Sequence, residues 1–339
     1  MTEALLAIVV KLTMAMMAQQ NATMLFVGDA MMHQAQIDAA RQANGTYNYT
    51  ECFAQIKNEV ETADYAVVNL ETPLGTSNFT GYPCFNAPIE YAQALKLTGF
   101  DLFLTANNHT LDRRDRGLRC TIAALDSLHV EHIGTYNNAA QRSQVLPLIR
   151  DINGFKVGFL NYTYATNGIE VRSDAIVDYI NRDTIEKDVK ATRDAGAEIV
   201  VVAMHWGEEY VLKPVKSQRI LADFLANLGV DVIVGGHPHV VEPMEIRTNP
   251  STGTPQVITY SLGNFISNMK TRDTRGGAML KVMLKRDSLG VACVDSAAMS
   301  YVFTVPPTAS VRNFVVYPID SVPQQWQAAA TAFKRALAQ

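Results

Sequence analysis

Short apolar runs rich in β-branched residues alternate along this chain with longer stretches whose apolar positions recur at helical spacing. The runs predict buried strands at 24–28, 65–70, 100–105, 130–133, 155–160, 198–204, 230–234, 257–261 and 278–284. The longer stretches predict helices over 51–63, 89–98, 117–128, 183–195 and 217–228. Gly99, Gly196 and Gly229 follow three of these helices, where glycine accepts the left-handed conformation of a C-cap. A loop rich in Gly, Pro, Ser and Asn fills 72–88, and the pattern after about Arg286 is less regular, with a final helix packed on the outside. Strands alternating with helices argue for an α/β architecture. No internal repeat, low-complexity tract or long linker breaks the chain, so one catalytic domain is the simplest reading.

Polar residues with chemistry to offer gather where the predicted strands end. Gly236-His237-Pro238-His239 puts two imidazoles around one proline. The proline fixes its own φ and biases His237 toward an extended conformation. Asp29 with His33, Asn69 with Glu71, Asn108 with His109, and His205 stand in the same position after other strands. In open α/β folds, sites form beyond the carboxyl ends of strands. Each group has a structural alternative: Asp29 as a turn cap, Glu71 as a solvated loop carboxylate, Asn108 as a turn residue, His205 and His239 as buried core histidines. Jointly these alternatives are poor, because the chain has only seven histidines. His129 and His132 lie around a helix–strand junction without a partner motif and read as surface or junction residues. Two divalent cations need a bridging carboxylate with imidazole and carbonyl donors; such a pair clamps an anion and lowers the pKa of a bound water. Asp29 and Glu71 supply the charge, His205, His237 and His239 the nitrogens, and Asn108 an oxygen. His109 is then spare, placed to protonate a leaving group. Manganese, iron and zinc all suit this mixture of donors.

Composition narrows the partners. The 339 residues are 48% hydrophobic, carry a formal net charge of -4 and contain no basic block, which argues against nucleic acid. A polyanionic ligand stays open, because a metal site adds positive charge that residue counts miss. The apolar stretch 4–18, divided by Lys11, reads as a signal peptide or anchor over 1–20, with a buried N-terminal helix as the alternative. Cys52, Cys84, Cys120 and Cys293 form no Cys-x-x-Cys pair; an even count permits a disulfide, and buried free thiols are the simpler expectation.

Seven segments then occur in a distinctive order: Val27-Gly-Asp-Ala-Met-Met-His33, Val68-Asn-Leu-Glu-Thr-Pro73, Phe85-Asn-Ala-Pro88, Ala106-Asn-Asn-His-Thr-Leu-Asp112, His205-Trp-Gly-Glu-Glu-Tyr210, Gly236-His-Pro-His239 and Tyr260-Ser-Leu-Gly-Asn-Phe265. In these the chain resembles the CapA family of poly-γ-glutamate capsule synthesis proteins and is similar, more distantly, to calcineurin-like metallophosphatases. The resemblance implies a four-layer α/β/β/α sandwich over 24–285, with 286–339 a C-terminal extension packed on the same domain. It implies two divalent metal ions: Asp29 and His239 on the first, Asn108, His205 and His237 on the second, Glu71 bridging, and His109 as general acid. His33 stands four residues after Asp29 rather than the usual two, and the bridging acid is a glutamate where the superfamily usually has aspartate. Glu208 and Tyr210 are the substrate-binding candidates. The implied function is capsule biosynthesis by a metal-dependent hydrolase or transferase acting on a phosphoester or γ-linked amide. The alternative is a noncatalytic polymer-binding component of capsule export or anchoring. Implied partners are an anionic capsular polymer or its precursor and membrane-bound capsule synthesis proteins. The implied location is outside the cytoplasm, in the cell envelope, the periplasm or the extracellular space.

Overall fold

A computed structural model describes residues 21–337; the expected signal peptide or anchor at 1–20 lies outside the described residues. Two sheets dominate. The first runs Val315–Pro318, Ala292–Val305, Gly276–Arg286, Asn21–Ala30, Tyr65–Leu70, Leu102–Leu104, Glu131–Ile133, with Asn264–Ile266 also paired to Asn21–Ala30. The second runs Met244–Thr248, Pro255–Thr259, Val232–Gly236, Ile199–His205, Phe155–Thr163, Leu148–Ile152. In each, the strands that carry candidate residues are parallel neighbours.

Alternation along the strands builds the layers, because successive side chains leave a strand on opposite faces. Met24, Phe26 and Val67 of the first sheet meet Val157, Phe159, Val201 and Val232 of the second in one buried cluster. Leu25, Val27, Ala66 and Val68 point the other way, onto Tyr91, Ala92 and Leu95 of the helix Ile89–Thr98. Val200, Val202 and Met204 likewise leave the second sheet toward Ile185 and Val189 of Arg182–Asp194 and Ala222 and Leu225 of Lys216–Asn227. The result is a four-layer α/β/β/α sandwich. Gly99, Gly196 and Gly229 follow their helices at positive φ, the geometry that favours glycine there.

Two expectations change. The helix over 51–63 is a 3-10 turn, Thr50–Phe53, followed by a short helix, Lys57–Glu61. Phe53 stacks on Phe265 and touches Tyr91, so tertiary packing sets the local winding. The stretch after Arg286 is regular: Gly276–Arg286 and Ala292–Val305 form a long antiparallel pair. The middle of Ala292–Val305 faces solvent, which left no apolar alternation to read. The final helix, Gln327–Leu337, buries Phe333 against Phe303. All four cysteines are free, Cys52 and Cys293 buried and Cys84 exposed. His129 is exposed, whereas His132 is buried and bonded to Asp126 at 3.1 Å.

Candidate metal centre

The carboxyl ends of the parallel strands in both sheets open onto one place. Asp29 sits at the end of Asn21–Ala30, where the pairing register slips on both sides. Such irregularities re-aim a side chain. Close approach of backbones depends on small residues: a Cβ on Gly236 would come within 2.7 Å of Asp29 Oδ1 on the facing sheet, and one on Gly28 within 1.9 Å of the Gly263 carbonyl, just before the neighbouring strand Asn264–Ile266 of its own sheet.

Asp29 is fully buried and well satisfied. Asn69 Nδ2 donates to its Oδ1 at 2.8 Å, while the His237 amide and His239 Nδ1 donate to its Oδ2 at 3.3 and 3.2 Å. Burial alone would raise this carboxyl, but His239 by hydrogen bond and charge, His205 by charge and the Asn69 hydrogen bond outweigh it and hold it well below the usual carboxylate range. Glu71 is equally buried, yet neither of its oxygens has a hydrogen-bond partner. Its Oε1 lies 3.7 Å from His205 Nε2 and 3.8 Å from His239 Nε2. Burial, reinforced by the Asp29 charge, pushes its carboxyl well up.

The imidazoles come from the second sheet. His205 ends Ile199–His205, with Nε2 3.0 Å from Asn108 Oδ1. Burial and the neighbouring histidines hold it well below an ordinary imidazole. His237 and His239 follow Val232–Gly236, and the His237 ring lies 4.9 Å from that of His205 and 6.0 Å from that of His239. His237 is pulled down to about 3 by burial and by His239, and its Nδ1 is buried without a partner. The extended conformation expected for His237 does not occur: its φ is 102, and that of His239 is 58. Bonding of the His237 amide to Asp29 and closure of the loop over the site outweigh the preference of a pre-proline residue. Backbone strain of this kind concentrates at functional sites.

Two compact groups result. Asp29, Glu71 and His205 each offer a ligand atom, all within 4.8 Å of one another, and so do Glu209, His237 and His239. The unpartnered Glu71 oxygens and His237 Nδ1 are what a divalent cation would satisfy, since buried polar atoms rarely go unpaired. The donor set fits such ions.

His109 stands beside these groups. Its Nδ1 donates to Asp112 Oδ2 at 2.8 Å, and its ring meets the edge of Phe85 at 4.5 Å. The same Asp112 oxygen accepts the Phe85 amide at 2.8 Å. His33 contacts the same Phe85 ring, but it caps the helix Gln34–Ala40 and belongs to neither ligand group. Four residues from it in sequence, Asp29 lies inside the strand, so His33 has already turned onto the helix. Glu208 is exposed and outside both groups; its neighbour Glu209 joins one instead. Tyr210, also exposed, packs its ring 6.2 Å from His239 and donates its amide to the Pro238 carbonyl, which anchors the loop carrying Glu209. Asn69, Asp112, Glu209 and Asn264 join the site as well: Asn69 was already placed with Glu71 by the sequence and Glu209 by the His205–Tyr210 segment, whereas Asp112 and Asn264 lie beyond the expected set; Asn264 Oδ1 accepts from His239 Nδ1 at 3.1 Å. All four lie inside the ordered segments, and only their contacts distinguish them from the surrounding motif residues.

The fold is of the metallophosphatase type. A solved calcineurin-like phosphoesterase from Bacillus subtilis, YfkN, superimposes with a TM-score of 0.50 at 13% identity, over 95% of this chain and 100% of that one. Residues 23–269 match the model of the bacterial capsule synthesis protein family PGA_cap, and the chain belongs to that family. It is 29% identical to the capsule biosynthesis protein CapA of Bacillus anthracis over 81% of this chain and 66% of the relative. It is 28% identical to the PGA biosynthesis protein CapA of Bacillus subtilis (strain 168) over 78% of this chain and 68% of the relative. The chain therefore spans about two thirds of the length of these relatives.

Proposed function

We propose that this chain is a metal-dependent hydrolase or transferase of poly-γ-glutamate capsule synthesis, acting on a phosphoester or γ-linked amide of an anionic polymer or its precursor. One observation carries the reading: Glu71, fully buried, holds two unpartnered oxygens between imidazoles. A buried carboxylate without partners is costly, and a pair of cations between Asp29, Glu71, Asn108, His205, His237 and His239 removes that cost. Two divalent ions held there would supply Lewis-acid polarisation and positive charge for a bound anionic group. Asn108 and the histidines orient them. His109, with Nδ1 committed to Asp112, keeps Nε2 to pass a proton to the leaving group.

The test is chemical. Protein stripped of metal and reloaded with manganese or zinc regains hydrolysis of a phosphoester or of γ-linked oligoglutamate. The substitution His109→Ala abolishes turnover while leaving metal content unchanged. Metal-independent turnover overturns the reading. Polymer binding and capsule formation that survive His109→Ala establish the noncatalytic polymer-binding role instead. We extend the proposal to an exported protein of the cell envelope on the strength of the apolar stretch 4–18. Among the described residues no helix is long and apolar enough to cross a membrane. N-terminal sequencing of the mature protein is expected to begin near Gln19, and a chain retained in the cytoplasm from Met1 overturns the extension.

A further inference from the structure

Three chain segments that leave the metal centre meet again at its flank. Leu74 and Gly75 follow Glu71, Asn86 follows Phe85, and Arg113 follows Asp112; together with Arg116 they line a cavity of about 250 Å³. No carboxylate lines it. Neither arginine has a carboxylate partner among the described residues, unlike Arg119, Arg142, Arg193 and Arg286, each of which pairs with an acid. The two nearby acids are turned elsewhere. Asp112 is engaged by His109 and the Phe85 amide, and Asp115 accepts the Arg172 amide at 3.0 Å. Arg113 Nη2 donates to Thr80 Oγ1, which fixes its guanidinium in place, and its Nε is buried without an acceptor. Two guanidiniums without a carboxylate partner among the described residues, in one concave site on a chain of net charge -4, concentrate positive charge against the overall balance.

We propose that this cavity is a carboxylate-binding subsite, in which Arg113 and Arg116 hold one acidic unit of the polymer while a neighbouring unit lies at the metal centre. Guanidinium matches a carboxylate with two parallel donors, which suits a ligand that repeats that group. The proposal rests on the capsule-polymer reading above. It also explains how a net acidic protein grips an acidic chain: cations hold one unit and arginines another.

The test is calorimetric binding of γ-linked hexaglutamate to manganese-loaded protein, with manganese stoichiometry measured on the same samples. Arg116→Gln is expected to weaken binding about tenfold, and Arg113→Gln with Arg116→Gln about a hundredfold, with manganese content unchanged. The α-carboxamide analogue, γ-linked hexaisoglutamine, is expected to bind wild type and variants alike. Arg116 is exposed, so Arg116→Gln alone decides the matter if the double variant does not fold. Equal affinity of wild type and Arg116→Gln overturns the subsite and leaves the polymer reading standing. Absence of hexaglutamate binding to the wild type removes both.

Discussion

The two sheets bring opposite chemistry to their shared edge. The first delivers the acids and amides Asp29, Asn69, Glu71 and Asn108; the second delivers the imidazoles His205, His237 and His239. The exceptions have separate positions. His109, on the first sheet's side, is held by Asp112 outside both ligand groups, and Glu209, on the second sheet's side, lies at the exposed rim. Neither sheet alone holds a complete donor set, so the site exists only where the sheets pack. Asp29 and Glu71 sharpen the contrast. Both are fully buried, but Asp29 is already satisfied across the seam by His237 and His239, whereas Glu71 is not. The first stabilises the seam as it stands; the second crosses it without a hydrogen-bond partner.

The largest expected break in this comparison is Glu71→Gln. It removes a bridging charge and should lower manganese or zinc affinity at least about a hundredfold, by the scale of a lost charged partner in a buried site. The metal-free variant should be more stable than the metal-free wild type by about 1–3 kcal/mol, because a buried, unpaired carboxylate is gone. Denaturant unfolding with and without chelator checks both, and a variant less stable without metal argues that Glu71 has a protein partner.

Metal should also act as a staple between the sheets. Manganese at a hundred times its dissociation constant is expected to stabilise the wild type by about 2.7 kcal/mol per site. Thermal melts across a manganese titration measure this; a melting temperature indifferent to metal separates the seam from cation binding.

Asp112→Asn tests the imidazole that stays outside the ligand groups. With its acceptor weakened, His109 loses its fixed orientation, and kcat should fall about ten- to a hundredfold with metal content unchanged. Parallel losses of metal and kcat would assign Asp112 to the cation site.

The smallest effect concerns Glu242, buried behind the second sheet's loops, where Gln218 Nε2 donates to it at 2.6 Å. Burial pushes its carboxyl up to about 7, against the hydrogen bond from Gln218. A raised carboxyl favours the protonated folded state, so its penalty is absent below the ordinary glutamate pKa and grows as pH rises toward about 7. Glu242→Gln should remove that slope and raise the melting temperature above neutral pH while leaving it unchanged near pH 4. An unaltered pH profile would show that the carboxyl ionises without cost.

Much of this was legible in the sequence. Tyr65–Leu70 and Ile89–Thr98 fall where apolar spacing predicts them, because the strand is buried on both faces and reads as a continuous apolar run, while the helix lays one apolar stripe on the sheet. The order of polar residues after the strands, Asp29, Glu71, Asn108, His205 and His237, was readable because parallel strands present their ends on one side. The strand Ala292–Val305 was not, since its solvent-facing middle carries no alternation. The choice of Glu209 over Glu208 was not, since adjacent loop residues look alike until the Tyr210 amide is tied to Pro238.

The chain by itself determined which segments form strands and helices and which donors follow each strand, because local apolar periodicity and residue chemistry suffice for that. Only the tertiary structure decided that two sheets face each other with their donors merged, that His237 adopts a positive φ, that His33 caps a helix outside both ligand groups, and that Arg113 and Arg116 share a cavity. Those outcomes depend on contacts between residues far apart in sequence, whose packing energy overrides what any neighbour along the chain prefers.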